Sequence, residues 1–317
     1  MTVLMSTKEV AAFLHINEKK VYTLIEMNGL PATKVTGKWL FPKHLVEQWL
    51  ENHTINYPER QSFLLKTPSL FVVAGSNDIL LDKYLQLFMK TDTQYTAVFG
   101  NLGSLGGIRA LKRGLCHVAT SHLYQEDSQD FNFAFAATEM DELPAVINFC
   151  HREQGLLVAR NNPHQIREVG DIGAKDLRIV NRQPGTGTRL WFEQALKKAG
   201  ITPSSVKGFD QEAQRHLDVG IEVLSGRADA GPGIRSVAGL LELDFIPLHW
   251  ERFDLLINKD RFFEKNIQSF LTLLHEQSFK DLAADLSGYD LSAAGKMVYP
   301  SAPLTRPQYS GSETQAS

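Results

Sequence analysis

Apolar positions along the first fifty residues recur at helical spacing. Val10, Ala11 and Leu14 share one face of a predicted helix, opened by Ser6-Thr7-Lys8-Glu9, a serine with glutamate three positions later as in a capping box. Asn17 precedes a second helix that turns Val21, Leu24 and Ile25 inward, and Gly29 and Pro31 stop it. Residues 32–41 change to alternation around Thr36-Gly37 and predict a β-hairpin wing. Pro42 is expected to open a closing helix with Leu45, Val46, Trp49 and Leu50 packed back. Two short helices joined by a tight turn make a helix-turn-helix arrangement. Its second helix leaves Lys19, Lys20, Tyr22 and Thr23 outward, and Lys34 and Lys38 lie near the wing tip. These are side chains suited to base edges and phosphates.

From residue 69 the pattern changes. Short apolar runs at 69–74, 95–99 and 117–119 alternate with helical spacing at 79–89 and 105–113, which predicts an α/β domain with a parallel sheet. Longer extended runs, 145–150 with 155–159 and then 244–258, read as two crossings between two α/β halves. Between them lie a strand at 177–183, a helix running through Ala199, a helix over 213–224 and a Gly-Pro-Gly loop before Arg235. Ligands of open α/β sheets bind outside the carboxyl ends of the strands. Three such ends carry a serine, namely Ser76, Ser104 and Ser121, and His122 follows the last of them. A fourth is the loop from Arg182 through Gln183-Pro184-Gly185-Thr186-Gly187-Thr188 to Arg189, which leads into a helix. Backbone N–H groups, threonine hydroxyls and a guanidinium there suit an anion. The same stretch is also an ordinary strand–turn–helix joint with a threonine cap.

Composition narrows the class. The 317 residues are 43% hydrophobic and 22% charged, with a formal net charge of −3, so any nucleic-acid contact is local rather than global. No apolar run is long enough to span a bilayer, and residues 1–6 lack the marks of a secretory signal, so a cytoplasmic protein without membrane contact is expected. The two cysteines, Cys116 and Cys150, sit in apolar surroundings and read as small buried hydrophobes. No metal-ligand spacing, nucleophile elbow or nucleotide P-loop occurs, so neither a metal cofactor nor an enzyme is expected.

Two resemblances carry the reading further. The order from Ser6 through Gly37-Lys38-Trp39-Leu40-Phe41 resembles the excisionase-type winged helix-turn-helix family. Gly103-Ser104-Leu105-Gly106-Gly107, Ser121-His122-Leu123, Arg152 to Leu156, the Arg182 loop and Ala228 to Arg235 together resemble the molybdate/tungstate type of periplasmic-binding-protein-like domain. That resemblance implies a two-lobed type 2 fold and a tetrahedral oxyanion effector, molybdate or tungstate. It carries ligand roles onto Ser76, Ser104, Ser121, Arg182, Thr186, Gly187 and Thr188. His122 and Arg235 are further candidates on the residues alone. The match weakens at Gly75-Ser76-Asn77-Asp78, where the related binders have threonines and where Asp78 repels an anion unless it is turned away.

The chain is therefore expected to divide into a DNA-binding headpiece at 1–54, a linker at 55–68 and a ligand domain at 69–298, followed by a disordered tail at 299–317. Lobe 1 of the ligand domain takes about 69–148 and 250–298, and lobe 2 about 149–249. A headpiece of this size buries little surface on DNA, so a homodimer on double-stranded DNA is expected. The reading is a one-component regulator that senses an oxyanion. An accessory factor or enzyme of molybdenum cofactor biosynthesis, or a regulator sensing another anion, is the alternative.

Overall fold

A computed structural model describes residues 4–34, 37–54, 69–125 and 129–301. The expected linker and residues 302–317 of the expected tail lie outside them. The chain divides into two units, Met1–Arg60 and Gln61–Ser317.

In the first unit β1 (Leu4–Ser6) runs directly into α1 (Thr7–Phe13). The capping box forms as the sequence dictates: Glu9 N–H donates to Ser6 Oγ, and the Glu9 carboxylate accepts from Ser6 N–H at 2.7 Å. His15, at φ 54°, makes the tight turn into α2 (Glu18–Asn28), where Asn17 caps Lys20 N–H at 2.9 Å. Gly29 ends α2 in the left-handed region at φ 64°. Of the expected wing, Thr33 and Leu40 form an antiparallel bridge and Gly37 stands at φ 78°, while Val35 and Thr36 of its turn lie outside the described residues. Pro42 does not open the closing helix. It ends β2 (Leu40–Pro42), which pairs antiparallel with β1, and α3 (Lys43–Asn52) begins one residue later. Proline suits this edge strand because its missing N–H removes no needed ladder bond. Val10, Val21, Leu30, Phe41 and Val46 form the small core.

The second unit is α/β with two lobes. Its first lobe begins with β3 (Leu70–Gly75), α4 (Ile79–Thr91), β4 (Thr96–Asn101), α5 (Gly103–Lys112) and β5 (Val118–Ser121). The pairings β3–β4 and β3–β5 are parallel, as the alternation of strands and helices predicts. A small ladder of β6 (Tyr124–Gln125) and β7 (Asp130–Phe131) precedes α6 (Phe133–Glu139). The chain then runs the length of the domain as β8 (Ala145–Val158). It builds the second lobe from α7 (Gly170–Ala174), β9 (Asn181–Arg182), α8 (Gly187–Lys198), β10 (Glu212–Ala213), α9 (His216–Leu224), β11 (Ala230–Ile234) and α10 (Arg235–Leu241). It returns along β12 (Asp244–Ile257) and closes on the first lobe with α11 (Lys265–Thr272), α12 (Gln277–Ala284), β13 (Tyr289–Asp290) and β14 (Met297–Val298).

The strand order is β11-β8-β12-β5-β3-β4, with β13 and β14 also on β8. The sheet is mixed rather than parallel throughout, because β8 and β12 form one long antiparallel ribbon shared by both lobes. The strand expected over 177–183 is regular only at Asn181–Arg182, with Ile179 bridging to Ala230. The helix expected from Ala213 starts at His216, because Ala213 pairs with Arg182 instead. Aromatic rings fill the first core: Tyr84 meets Phe149, Phe270 and Phe279 edge-on or tilted at 4.9–5.3 Å. Each such fully buried ring contributes about 1.5–3 kcal/mol. The Gly106-Gly107 pair lets α5 lie on β3, where a Cβ at Gly107 would come 2.7 Å from Gly75 Cα.

Candidate functional site

The carboxyl ends of β3 and β5 converge with the middle of the β8–β12 ribbon on a cluster of buried polar side chains. Arg152 on β8 stands opposite Glu251 on β12. Its Nε donates to Glu251 at 2.6 Å and its Nη1 to Asp78 at 2.8 Å, with all three side chains at most 2% exposed. Burial opposes the Arg152 charge, but Glu251 and Asp78 outweigh it and raise the pKa. Burial likewise opposes the Glu251 carboxylate, yet His122 and Arg152 hold its pKa down to about 2. Asp78 also caps α4 through Leu81 N–H and accepts from Tyr289 Oη at 3.0 Å. The carboxylate that threatened to repel an anion is therefore turned to Arg152 and to the helix it caps.

His122 sits between two partners. Its Nδ1 lies 2.9 Å from Glu251 and its Nε2 2.9 Å from Ser76 Oγ. A carboxylate only accepts, so Nδ1 carries the proton. Nε2 then takes the hydrogen of the Ser76 hydroxyl. Burial, with Arg152 and Arg182 nearby, lowers the His122 pKa and keeps the ring neutral near pH 7. Ser76 therefore has lone pairs but no hydrogen to offer an anion. Thr186 caps α8 by accepting from Arg189 N–H, and its hydroxyl donates to Gln183 O at 2.8 Å. With its amide oriented to suit its neighbours, Gln154 donates to Glu251 and accepts from Thr188 Oγ1 at 2.7 Å. Those two threonine hydrogens are committed as well. Gly187 packs against His122, and a Cβ there would come 2.7 Å from the ring. The two lobes thus meet tightly at this point, and Asn101 reaches across to Gln214 O at 3.2 Å.

Other groups remain available. Ser104 Oγ accepts from His122 N–H at 3.3 Å and keeps its own hydrogen. It lies in the first turn of α5, which has no side-chain cap, so that helix end is open to an acceptor. Ser121 Oγ, Arg152 Nη2, Arg182 Nε and Nη1, and both ring nitrogens of His216 are buried without a partner among the described residues. Arg182 is 1% exposed, and burial together with Arg152 pushes its pKa down to about 9. Arg182 stands opposite Ala213 in the β9–β10 pairing, three residues before His216, and α9 packs on β9. Burial, followed by the charges of Arg182 and Arg152, drives the His216 pKa well below its ordinary value.

The cluster thus gathers Ser76, Ser104, His122, Gly187 and Thr188, with the charge of Arg182 acting on His122, while Ser121 ends β5 opposite Asp254. Arg235 lies elsewhere: its guanidinium pairs with Glu153 and covers the Phe245 ring. Glu153 alternates with Arg152 and Gln154 along β8 and so faces the other side of the sheet. Sequence reading missed Arg152, Glu251 and His216 as site residues. The available signal was charged side chains midway along two long extended runs, where burial requires a partner. No group of three or more potential metal ligands occurs among the described residues.

On the headpiece Lys19, Lys20, Tyr22, Lys34 and Lys38 are exposed and Thr23 is half-buried, with the Lys34 ammonium 5.5 Å from the centre of the Trp39 ring. No helix of the described residues is long and apolar enough to cross a membrane.

Comparison with known proteins is consistent with this division. The PBP superfamily domain model matches residues 85–275, and a helix-turn-helix domain model matches residues 4–54. The chain is 27% identical over 301 residues to the uncharacterized protein YvgK of Bacillus subtilis, spanning 92% of this chain and 96% of that protein. It is 33% identical over 110 residues to an uncharacterized protein encoded in the 5′ region of a 2Fe-2S ferredoxin gene of Clostridium pasteurianum, covering 34% of this chain and 97% of that protein. In fold it is similar to a putative phosphate ABC transporter substrate-binding protein with bound phosphate from Clostridium perfringens. The TM-score is 0.54 at 13% identity, over 68% of this chain and 97% of the other.

Proposed function

Because the chain belongs to the PBP superfamily and carries a helix-turn-helix domain ahead of its ligand domain, we propose that it is a transcription regulator sensing a small oxyanion between its lobes. One observation carries the reading: the Arg182 guanidinium is buried, with Nε and Nη1 unpartnered among the described residues. An unpaired buried charge is costly, and an anion is the species that relieves it. The free hydroxyl of Ser104 and the open end of α5 offer neutral donors on the facing lobe. The sequence motifs favour molybdate or tungstate, while the similar protein from Clostridium perfringens holds phosphate. All are tetrahedral ions rich in acceptors. The regulator acts as a homodimer whose headpieces contact DNA through Lys19, Lys20, Tyr22, Thr23, Lys34 and Lys38. Closure of the lobes changes their placement, and a coupling of about 1–3 kcal/mol suffices to switch operator occupancy. No catalytic step is assigned to the cluster.

The test is calorimetric titration of the full chain with molybdate, tungstate, phosphate and sulfate, followed by DNA binding with and without whichever ion binds. Saturable heat from at least one ion, lost in Arg182→Ala, is expected. Absence of heat from all four would sink the oxyanion reading, and DNA affinity indifferent to the bound ion would sink the regulatory one.

A further inference from the structure

The unpartnered imidazole of His216 carries the oxyanion reading one step further, and the role assigned to it rests on that reading. The ring is 1% exposed, and neither Nδ1 nor Nε2 has a partner among the described residues. It begins α9, which packs on the strand that bears Arg182. A neutral imidazole has one N–H donor and one lone-pair acceptor, whereas a guanidinium has donors only. A ligand held by Arg182 and His216 must therefore supply acceptors for the guanidinium and the ring N–H, and a hydrogen for the ring lone pair.

We propose that His216 is a ligand contact selecting an oxyanion that still carries an acidic hydrogen near neutral pH, hydrogen phosphate or hydrogen arsenate, over fully deprotonated sulfate, molybdate or tungstate. The deprotonated ions offer acceptors alone. Against them one ring nitrogen is left as a buried lone pair facing oxygen or nothing, and a site with such an unmet polar group discriminates strongly. No donor or acceptor of the described residues reaches either ring nitrogen. The Ser76 hydrogen is taken by His122, Gln154 is held between Glu251 and Thr188, and Arg152 is paired through Nε and Nη1. The burial that lowers the His216 pKa keeps the ring in its neutral, two-faced form.

The experiment is calorimetry on the full chain near pH 7 with potassium phosphate, potassium sulfate and sodium molybdate, repeated on His216→Leu and His216→Gln. Phosphate is expected to bind at least about tenfold tighter than the other two, a difference of about 1.4 kcal/mol. In His216→Leu the preference collapses, because the acceptor is gone. In His216→Gln, which keeps both a donor and an acceptor, part of it survives. Melting temperatures report whether each variant folds, and if His216→Leu does not, the wild-type ranking still decides. Sulfate or molybdate binding as tightly as phosphate, or a preference unchanged in folded His216→Leu, would overturn this selectivity while leaving the oxyanion site intact. Silence from every ion would overturn both.

Discussion

Two sets of polar groups meet in the cleft, and they differ in what they are bonded to. On the first lobe and the ribbon, Ser76, Asp78, His122, Arg152 and Glu251 form a network in which nearly every donor has an acceptor. On the second lobe, Arg182 and His216 are as deeply buried and have no side-chain partner among the described residues. Burial alone therefore does not distinguish a framework from a binding surface. The bonding state does: the satisfied set fixes positions, and the unsatisfied set is the one a ligand would complete.

The largest expected effect tests the framework half of this contrast. Arg152→Ala leaves Asp78 and Glu251 as buried carboxylates without their cation, and a loss of about 3–5 kcal/mol of folding stability is expected by chemical denaturation. Arg182→Ala removes an unpaired buried charge and is expected to leave the ligand-free protein at least as stable as wild type. Equal destabilisation by the two substitutions would break the comparison.

Binding should show the opposite order. Arg182→Ala is expected to weaken the oxyanion on the order of 100-fold or more, since two charge-assisted hydrogen bonds contribute about 1.5–3 kcal/mol each. Ser76→Ala deprives His122 Nε2 of its donor, so it should lower stability by about 1–3 kcal/mol. It should change ion affinity less than about threefold, below 1 kcal/mol. Loss of binding in Ser76→Ala comparable to that in Arg182→Ala would restore Ser76 as a direct ligand.

Acid sharpens the contrast through the histidines. Burial, with Arg261 nearby, lowers the pKa of His117 to about 4, and those of His122 and His216 are also lowered. The unfolded chain takes up these protons as pH falls through the ordinary value of about 6.5, while the folded chain refuses them. The histidines thus oppose folding increasingly between about pH 6.5 and 4 and not above. Denaturation midpoints of the ligand domain should fall over that window, and His117→Gln should flatten part of the slope. The Glu251 carboxylate adds a second loss at lower pH, toward its pKa of about 2. The smallest effect lies on the headpiece. Lys19→Ala should reduce the salt dependence of DNA binding by about one unit of slope and leave oxyanion affinity unchanged.

Legibility from sequence followed the range of the interactions. The caps at Ser6 and Asn17, the stop at Gly29 and the β3–α4–β4–α5 succession depend on residues three or four apart and were readable directly. Arg182 was readable because its loop places glycine, threonine and a helix start in one short stretch. Arg152 and Glu251 were not, since their pairing depends on the register of two strands 99 residues apart. His216 had no local sign at all. It becomes notable only when the neighbours that might have satisfied it prove to be bonded elsewhere. The committed hydrogens of Ser76, Thr186 and Thr188 were hidden for the same reason: type and position were visible, and the third partner was not.

The β8–β12 ribbon has a mechanical consequence. Its register slips between Pro247 and His249 and again between Phe253 and Asp254, and the Arg152–Glu251 pair lies in the short segment between the two slips. Bulges are where a strand bends most readily. A flexure at that segment is levered along six residues of β8 to Val158, about 20 Å at strand rise, so a few degrees at the pivot become about 1–2 Å at the far edge. The proposed oxyanion, five heavy atoms held beside that fulcrum, would thereby have the leverage to tilt a whole lobe.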